Sequence, residues 1–250
     1  MNRHVFLTNV RLHQLAFWRN PESAFFNFAM PIGVLLIFGA TTNNDLVAGR
    51  NDVHFLTLFV PGILAFGIVV VAYGNLAATI ALLRADGVLK RLRATPLDPT
   101  LYLASHLANT LVTALLISAA TIAVGGAAFG ALPPAAATPQ LLAVLAVGIA
   151  CFAALGLAIS TVIPTADSAG AITNGTYLPL ALVSGMFSAT LHLPNALGTI
   201  IGLFPLKALA DGLRSAYDPA SHGLPLANIA VLGAWTAIGI AVARRRFRWQ

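Results

Sequence analysis

The side chains that could do chemistry in this chain are few, and their spacing excludes more reactions than it permits. Ser184-Gly185 supplies the last two positions of a Gly-x-Ser-Gly nucleophile turn, but Leu182 stands where the first glycine belongs. No His-Glu-x-x-His pair is present to hold zinc on one helix face. The sequence also lacks a Gly-x-x-x-x-Gly-Lys-Ser/Thr phosphate loop, so ATP-driven work would need its nucleotide on another polypeptide. What remains is a set of uncharged polar side chains inside apolar stretches: Asn27, Tyr73, Asn75, Asn109, Asn174, Thr176, Tyr177 and Ser184. In hydrocarbon such groups either hydrogen-bond between helices, at about 0.6–2 kcal/mol per contact, or line a path for solute. Asn174, Thr176, Tyr177 and Ser184 stand beside Met186 and Phe187. Such a mixed wall suits large amphipathic solutes, because Met and aromatic side chains adapt in shape. Tyr73 and Asn75 are the further candidates for that path.

The elements that must carry these residues follow from charge. Of 250 residues, 58% are hydrophobic and 9% charged, where a soluble domain carries about 25% charged residues. Too few charges exist to coat a globule, so lipid is the solvent for most of the surface. Residues 23–44, 53–83, 99–166, 168–206 and 219–243 contain no Asp, Glu, Lys or Arg. A helix needs about 20 apolar residues to cross the hydrocarbon. Four windows hold one crossing each. The window 99–166 holds two, divided near Gly125-Gly126, Gly130 and Pro133-Pro134. The expectation is an all-α polytopic membrane protein with six spans, at about 25–40, 55–82, 101–123, 141–163, 169–187 and 226–243. Runs such as Leu141–Val147 do not alternate, which rules out a transmembrane barrel.

With both termini in the cytoplasm, 11 of the 14 basic residues are inside and only Arg50, Lys207 and Arg214 outside, as the positive-inside rule requires. The net charge of +6 is thereby explained by lipid headgroups and calls for no nucleic acid. Residues 2–20 read as an interfacial helix in which Phe6, Val10 and Phe17 share a face that His13 interrupts, ending at Asn20-Pro21. That polar start does not read as a cleavable signal. Pro61-Gly62 predicts a kink in the second span, and Thr41–Val53 an external polar loop. Residues 84–100 read as a cytoplasmic loop with a short helix over Asp86–Ala94. Residues 188–223 read as an external re-entrant region whose short helices, Pro194–Ile201 and Leu206–Ala216, cannot cross. Cys151 reads as core filling. His54 and His106 lie toward span ends, and no span places an Asp, Glu, Lys or Arg near its middle, which argues against an ion-coupled carrier.

Three stretches, in this order, resemble the permease subunits of type-2 ABC exporters. Phe17-Trp18-Arg19-Asn20-Pro21, leading into Phe25-Phe26 and Pro31, is similar to the connecting helix of that family. Arg84-Ala85-Asp86-Gly87-Val88-Leu89-Lys90-Arg91-Leu92-Arg93-Ala94-Thr95-Pro96-Leu97 resembles the family's Arg-Glu-x-Gly-Thr-x-x-Arg-Leu-x-x-Thr-Pro-Leu loop, with Asp86 where Glu is usual. Leu193-Pro194 through Phe204-Pro205-Leu206, then Ala210-Asp211-Gly212-Leu213-Arg214, is similar to its external re-entrant segment, with Lys207 where Thr is usual. Phe247-Arg248-Trp249 resembles its ending. The resemblance implies a drug-resistance or polysaccharide-export permease in the bacterial plasma membrane. It would pair with a second permease, identical or related, and with two ABC ATPase subunits that bind ATP and Mg; no cofactor is expected in this chain. Arg84, Asp86, Leu89, Arg91, Leu92 and Arg93 are the implied docking residues. The bland alternative for this segment is a solvated loop held near lipid headgroups. For the whole chain, export of lipid or glycan and a non-transporting scaffold are the competing readings.

Overall fold

The computed structural model describes residues 3–41, 46–47, 50–92, 94, 99–185, 200–218, 220–221 and 223–246. The protein is α-helical. Helix α1 (Arg3–Arg19) ends at Asn20, and α2 (Pro21–Thr41) opens on a proline whose missing N–H has no helical partner to lose. The polar stretch that follows holds a two-stranded antiparallel hairpin, β1 (Leu46–Val47) and β2 (Arg50–His54), where the sequence reads only as loop. Helix α3 (Phe55–Val69) runs without interruption through a π-helical turn (Val70–Asn75) into α4 (Leu76–Ala85). After α5 (Val88–Leu92) come α6 (Pro99–Phe129), a 3-10 turn (Ala135–Ala137) and α7 (Thr138–Ser160). The chain continues through α8 (Ala166–Val183), α9 (Pro205–Tyr217) and α10 (Leu226–Arg246).

Five helical segments are long and apolar enough to cross a membrane: Ala24–Thr41, Phe55–Ala85, Thr100–Phe129, Ala135–Ser160 and Leu226–Arg246. The expected sixth, α8, has 18 residues, about 27 Å of helix. Asp167, Thr173, Asn174, Thr176 and Tyr177 make it more polar than the others. Five helices, not six, therefore meet both criteria among the described residues.

The Phe55–Ala85 helix is the axis of the bundle. All of Leu58–Val69 is buried, against α2, α6, α7 and α9. Its irregularity is the π turn, not Pro61-Gly62, through which the helix passes. In the turn before that proline, the Leu58 carbonyl accepts a hydrogen bond from Arg214 Nε at 3.3 Å. Helix α6 likewise passes through Gly125-Gly126, where the sequence reads as a break, and stops only at Gly130, whose φ of +66° suits glycine. The reason is packing. A Cβ on Gly126 would lie 2.3 Å from Leu132 Cδ2, so the chain turns and folds back onto this notch.

Small residues set the other close approaches, as in membrane helix pairs generally. A Cβ on Gly239 of α10 would lie 2.9 Å from the Ala154 carbonyl carbon of α7. One on Gly148 would lie 2.5 Å from Leu209 Cδ1, so α9 inserts a leucine into a groove of α7. Helix α9, too short to span, thus buries Leu206, Leu209, Leu213 and Tyr217 within the bundle. The partner expected over Pro194–Ile201 lies outside the described residues except at its end, as do Thr95-Pro96-Leu97 and Phe247-Arg248-Trp249.

Candidate substrate cavity and coupling segment

Two side chains of the expected solute path come together. Tyr73, in the π turn, and Thr176, on α8, share a hydrogen bond of 2.7 Å between hydroxyls. Thr176 also donates to the Thr173 carbonyl at 2.7 Å, so Tyr73 is the donor to Thr176. Tyr177 stands edge-on to Tyr73, centroids 6.3 Å apart and planes at 87°, a favourable aromatic geometry. The π turn is what aims Tyr73 here, since an added residue in the turn rotates every later side chain relative to a regular helix. It is held by α7, where a Cβ on Gly156 would lie 2.7 Å from the Ala72 carbonyl oxygen. Helix α8 is set by a reciprocal cap at its start, Thr165 Oγ1 accepting from the Ser168 amide and Ser168 Oγ from the Thr165 amide.

These residues line one edge of a half-open cavity of about 350 Å³. Phe152, Leu155, Leu180, Phe204 and Trp235 supply apolar walls from α7, α8, the start of α9 and α10. The Tyr73, Thr176 and Tyr177 hydroxyls and the Trp235 ring N–H are the side-chain polar groups on a lining otherwise apolar. That N–H is already occupied, donating to the Leu203 carbonyl at 2.8 Å. Phe152, Trp235 and Gly156 are the contributors that sequence reasoning missed. Nothing in the composition of an Ala-, Gly- and Leu-rich helix distinguishes the face that meets the π turn.

Asn75, Asn174 and Ser184 do not line this cavity. Asn174 is exposed on another face of α8, Ser184 is buried and bonds the Ala181 carbonyl of its own helix, and Asn75 donates to Asn27 Oδ1 of α2. Met186 and Phe187 lie outside the described residues.

The basic segment has a definite shape. Gly87, with φ of +66°, ends α4, and its amide donates to the Arg84 carbonyl at 3.0 Å. The glycine of the motif thus turns the chain into α5, which covers Val88–Leu92 rather than the expected Asp86–Ala94. Arg84 donates to the Ile163 carbonyl, tying α4 to the turn after α7. Leu89 is 1% exposed, seating α5 against the chain itself. Asp86, Lys90 and Arg91 are exposed and Leu92 half-buried. Arg93 lies outside the described residues.

Helix α1 presents Leu7, Leu12, Leu15 and Trp18 outward and seats its other face on α6. His13 belongs to that seat and does not interrupt it. Its ring stacks on His106 at 3.8 Å, Tyr102 stands edge-on to both, and Nε2 bonds Ser105 Oγ at 3.0 Å. Gln14 donates to the Asn109 carbonyl and Thr113 Oγ1 at 3.2 and 3.1 Å. Burial pushes the His13 imidazole below its ordinary range. The seated state therefore favours neutral His13, while the released helix has an ordinary imidazole at about 6.5. Seating is expected to be complete above that pH and to weaken as pH falls through and below it. A distance probe between labels on α1 and α6, followed from pH 8 to 5, checks this; His13→Phe should flatten the profile.

A family model described as ABC-2 type transporter matches residues 4–217, from the seat of α1 through the end of α9. No curated protein matches the chain. The matched region takes in the connecting helix, the motif-built turn at Gly87 and the inserted helix α9, and the chain belongs to the ABC-2 type transporter family.

Proposed function

We propose that the chain is the permease subunit of an ATP-driven exporter that moves amphipathic solutes, drugs among them, out of the cell by alternating access. Membership of the family implies ABC ATPase subunits as partners. In this reading they bind the ATP and Mg and dock on the exposed Lys90 and Arg91 with Leu92, while Arg84 and Leu89 position the segment. The excess of basic residues at one end of the bundle supports a cytoplasmic location for both termini. Helix α8 makes the sixth crossing in a bacterial plasma membrane. Its exposed Asn174, Gly175, Leu178 and Leu182 face a second permease across the path.

The observation that carries the solute class is the cavity beside Tyr73 and Tyr177. Its walls suit an apolar body, and its edge offers the Tyr73–Thr176 hydroxyl pair and the Tyr177 hydroxyl. Nucleotide can drive transport only by binding the inward and outward states with different free energies. Docking at α5 transmits that difference across the Gly87 turn to α4 and on to Tyr73, because α4 and the π turn belong to one continuous helix.

Ala158→Phe tests the reading by filling the cavity from α7. In the complex with its ATPase, basal hydrolysis is expected to persist. Stimulation by an amphipathic dye and its efflux should fall about tenfold. Unchanged efflux would remove this cavity from the path.

A further inference from the structure

Two spaces between α1, α2, α4 and α6 take no part in the cavity above. The larger, about 390 Å³, is half-open and lined by Asn20, Asn27, Asn75, Thr79 and Asp167 among others. It lies at the end of the bundle where α4 stops and α8 begins. The smaller, about 60 Å³, shares Phe17, Asn75 and Thr79 with it and ends against His106, Asn109, Thr110 and Thr113.

The blind end is polar beyond what the protein satisfies. His106 is 7% exposed, yet its Nε2 has no partner among the described residues, and neither has Asn109 Oδ1. An orphaned buried polar group costs about 1–3 kcal/mol. Both residues line a space that has room for water, which needs about 10–15 Å³ and two or more polar partners. The Thr110 and Thr113 hydroxyls line the same space. Apolar spaces stay dry, but this one has a donor–acceptor wall and a polar mouth.

We propose that the two spaces form one water-filled crevice that runs from the end of the bundle carrying α5 to the imidazole of His106. Water satisfies His106 Nε2 and Asn109 Oδ1 there. It also gives protons a route to the stacked His13–His106 pair that seats α1. The titratable groups facing that pair are Tyr102 on α6 and the two imidazoles themselves; among the described residues no carboxylate forms an ion pair with either. That the crevice opens to the cytoplasm rests on the orientation proposed above.

Hydrogen–deuterium exchange at histidine C2, read by mass spectrometry on the full chain in nanodiscs, tests the crevice without requiring transport. His106 is expected to exchange measurably, though more slowly than exposed His4, and Thr110→Leu, which plugs the inner space, to slow it several-fold. No exchange at His106 while His4 exchanges fully would overturn the proposal, as would an unchanged rate in a folded Thr110→Leu protein. Direction is read separately, with Thr79→Cys in a Cys151→Ala background and a small cationic methanethiosulfonate. Labelling only in inside-out vesicles is expected. Labelling only in right-side-out vesicles would overturn the cytoplasmic opening and the orientation with it, and labelling in neither would overturn the crevice.

Discussion

Gly156→Ala is expected to lower the melting temperature of the purified protein by several degrees, and Gly156→Leu to abolish the folded permease. A Cβ at this position would lie 2.7 Å from the Ala72 carbonyl oxygen, 3.0 Å from the Tyr73 carbonyl oxygen and 3.2 Å from the Tyr73 Cα. All three are backbone atoms of the π turn, which cannot swing aside as a side-chain tip would. Removing a glycine from a helix interior gains about 0.5–1 kcal/mol, but overpacking costs about 1–3 kcal/mol, so the net effect is destabilising. Gly170 and Gly233 are the controls: a Cβ at either meets nothing within 4 Å. Alanine there should leave the melting temperature unchanged or raise it. Thermal unfolding of the three variants in one detergent reads the difference. A Gly156→Ala protein as stable as the Gly170→Ala protein would mean that α7 does not press on the π turn. The functional consequence follows from the same contact. A π turn pushed away from α7 carries Tyr73 with it, so the 2.7 Å bond to Thr176 and the shape of the cavity should change together.

The contrast between Gly156 and Gly87 shows which parts of this protein can be read from its sequence. Gly87 acts locally: a positive φ ends a helix, and the motif announces a short helix there, though over Asp86–Ala94 and not from Val88. The spans were legible for a similar reason, because hydrocarbon excludes charge and the uncharged windows record that exclusion residue by residue. Gly156 acts on a carbonyl more than 80 residues away in the chain, and one glycine in an apolar helix looks like any other. The π turn itself has no composition signature; Val70–Asn75 contains nothing that a regular helix would refuse. In α5, five residues are too few for a 3.6-residue period to say which leucine faces inward. Leu89 therefore reads as a docking residue although it is buried. Asn174 and Tyr177 do not share the cavity. Positions three apart on a helix are about 300° apart, close enough to be neighbours but far enough for one to be buried and the other exposed.

Arg214 is the residue whose loss should cost more than Gly156→Ala, and it illustrates the same separation at the other end of the bundle. The guanidinium donates to the Leu58 carbonyl of α3 through Nε, to the Gly185 carbonyl just past α8 through NH2, and to Asp211 Oδ1 through NH1 at 3.3 Å. Its side chain is only 15% exposed. One planar fork thus joins three helices, α3, α8 and its own α9. At α8 it meets carbonyls that a helix C-terminus leaves without partners and that carry partial negative charge. A hydrogen bond from a charged donor contributes about 1.5–3 kcal/mol, so losing the two carbonyl contacts costs on the order of 3–5 kcal/mol. Arg214→Met, which keeps most of the apolar stem, is expected to unfold the end of the bundle that carries α9. It should expose the α8–α9 region to protease in detergent while the α1–α6 seat stays protected. Arg214→Lys should recover less than half of the loss, since a single ammonium cannot reproduce a fork spread over three acceptors. Asp211→Asn separates this tie from simple charge pairing. Asp211 is 37% exposed and also meets Lys207 at 2.7 Å, and exposed ion pairs contribute about 0–1 kcal/mol. That variant should stay close to the parent. If Asp211→Asn proved as damaging as Arg214→Met, the ion pair and not the carbonyl fork would be holding α9 against α3 and α8.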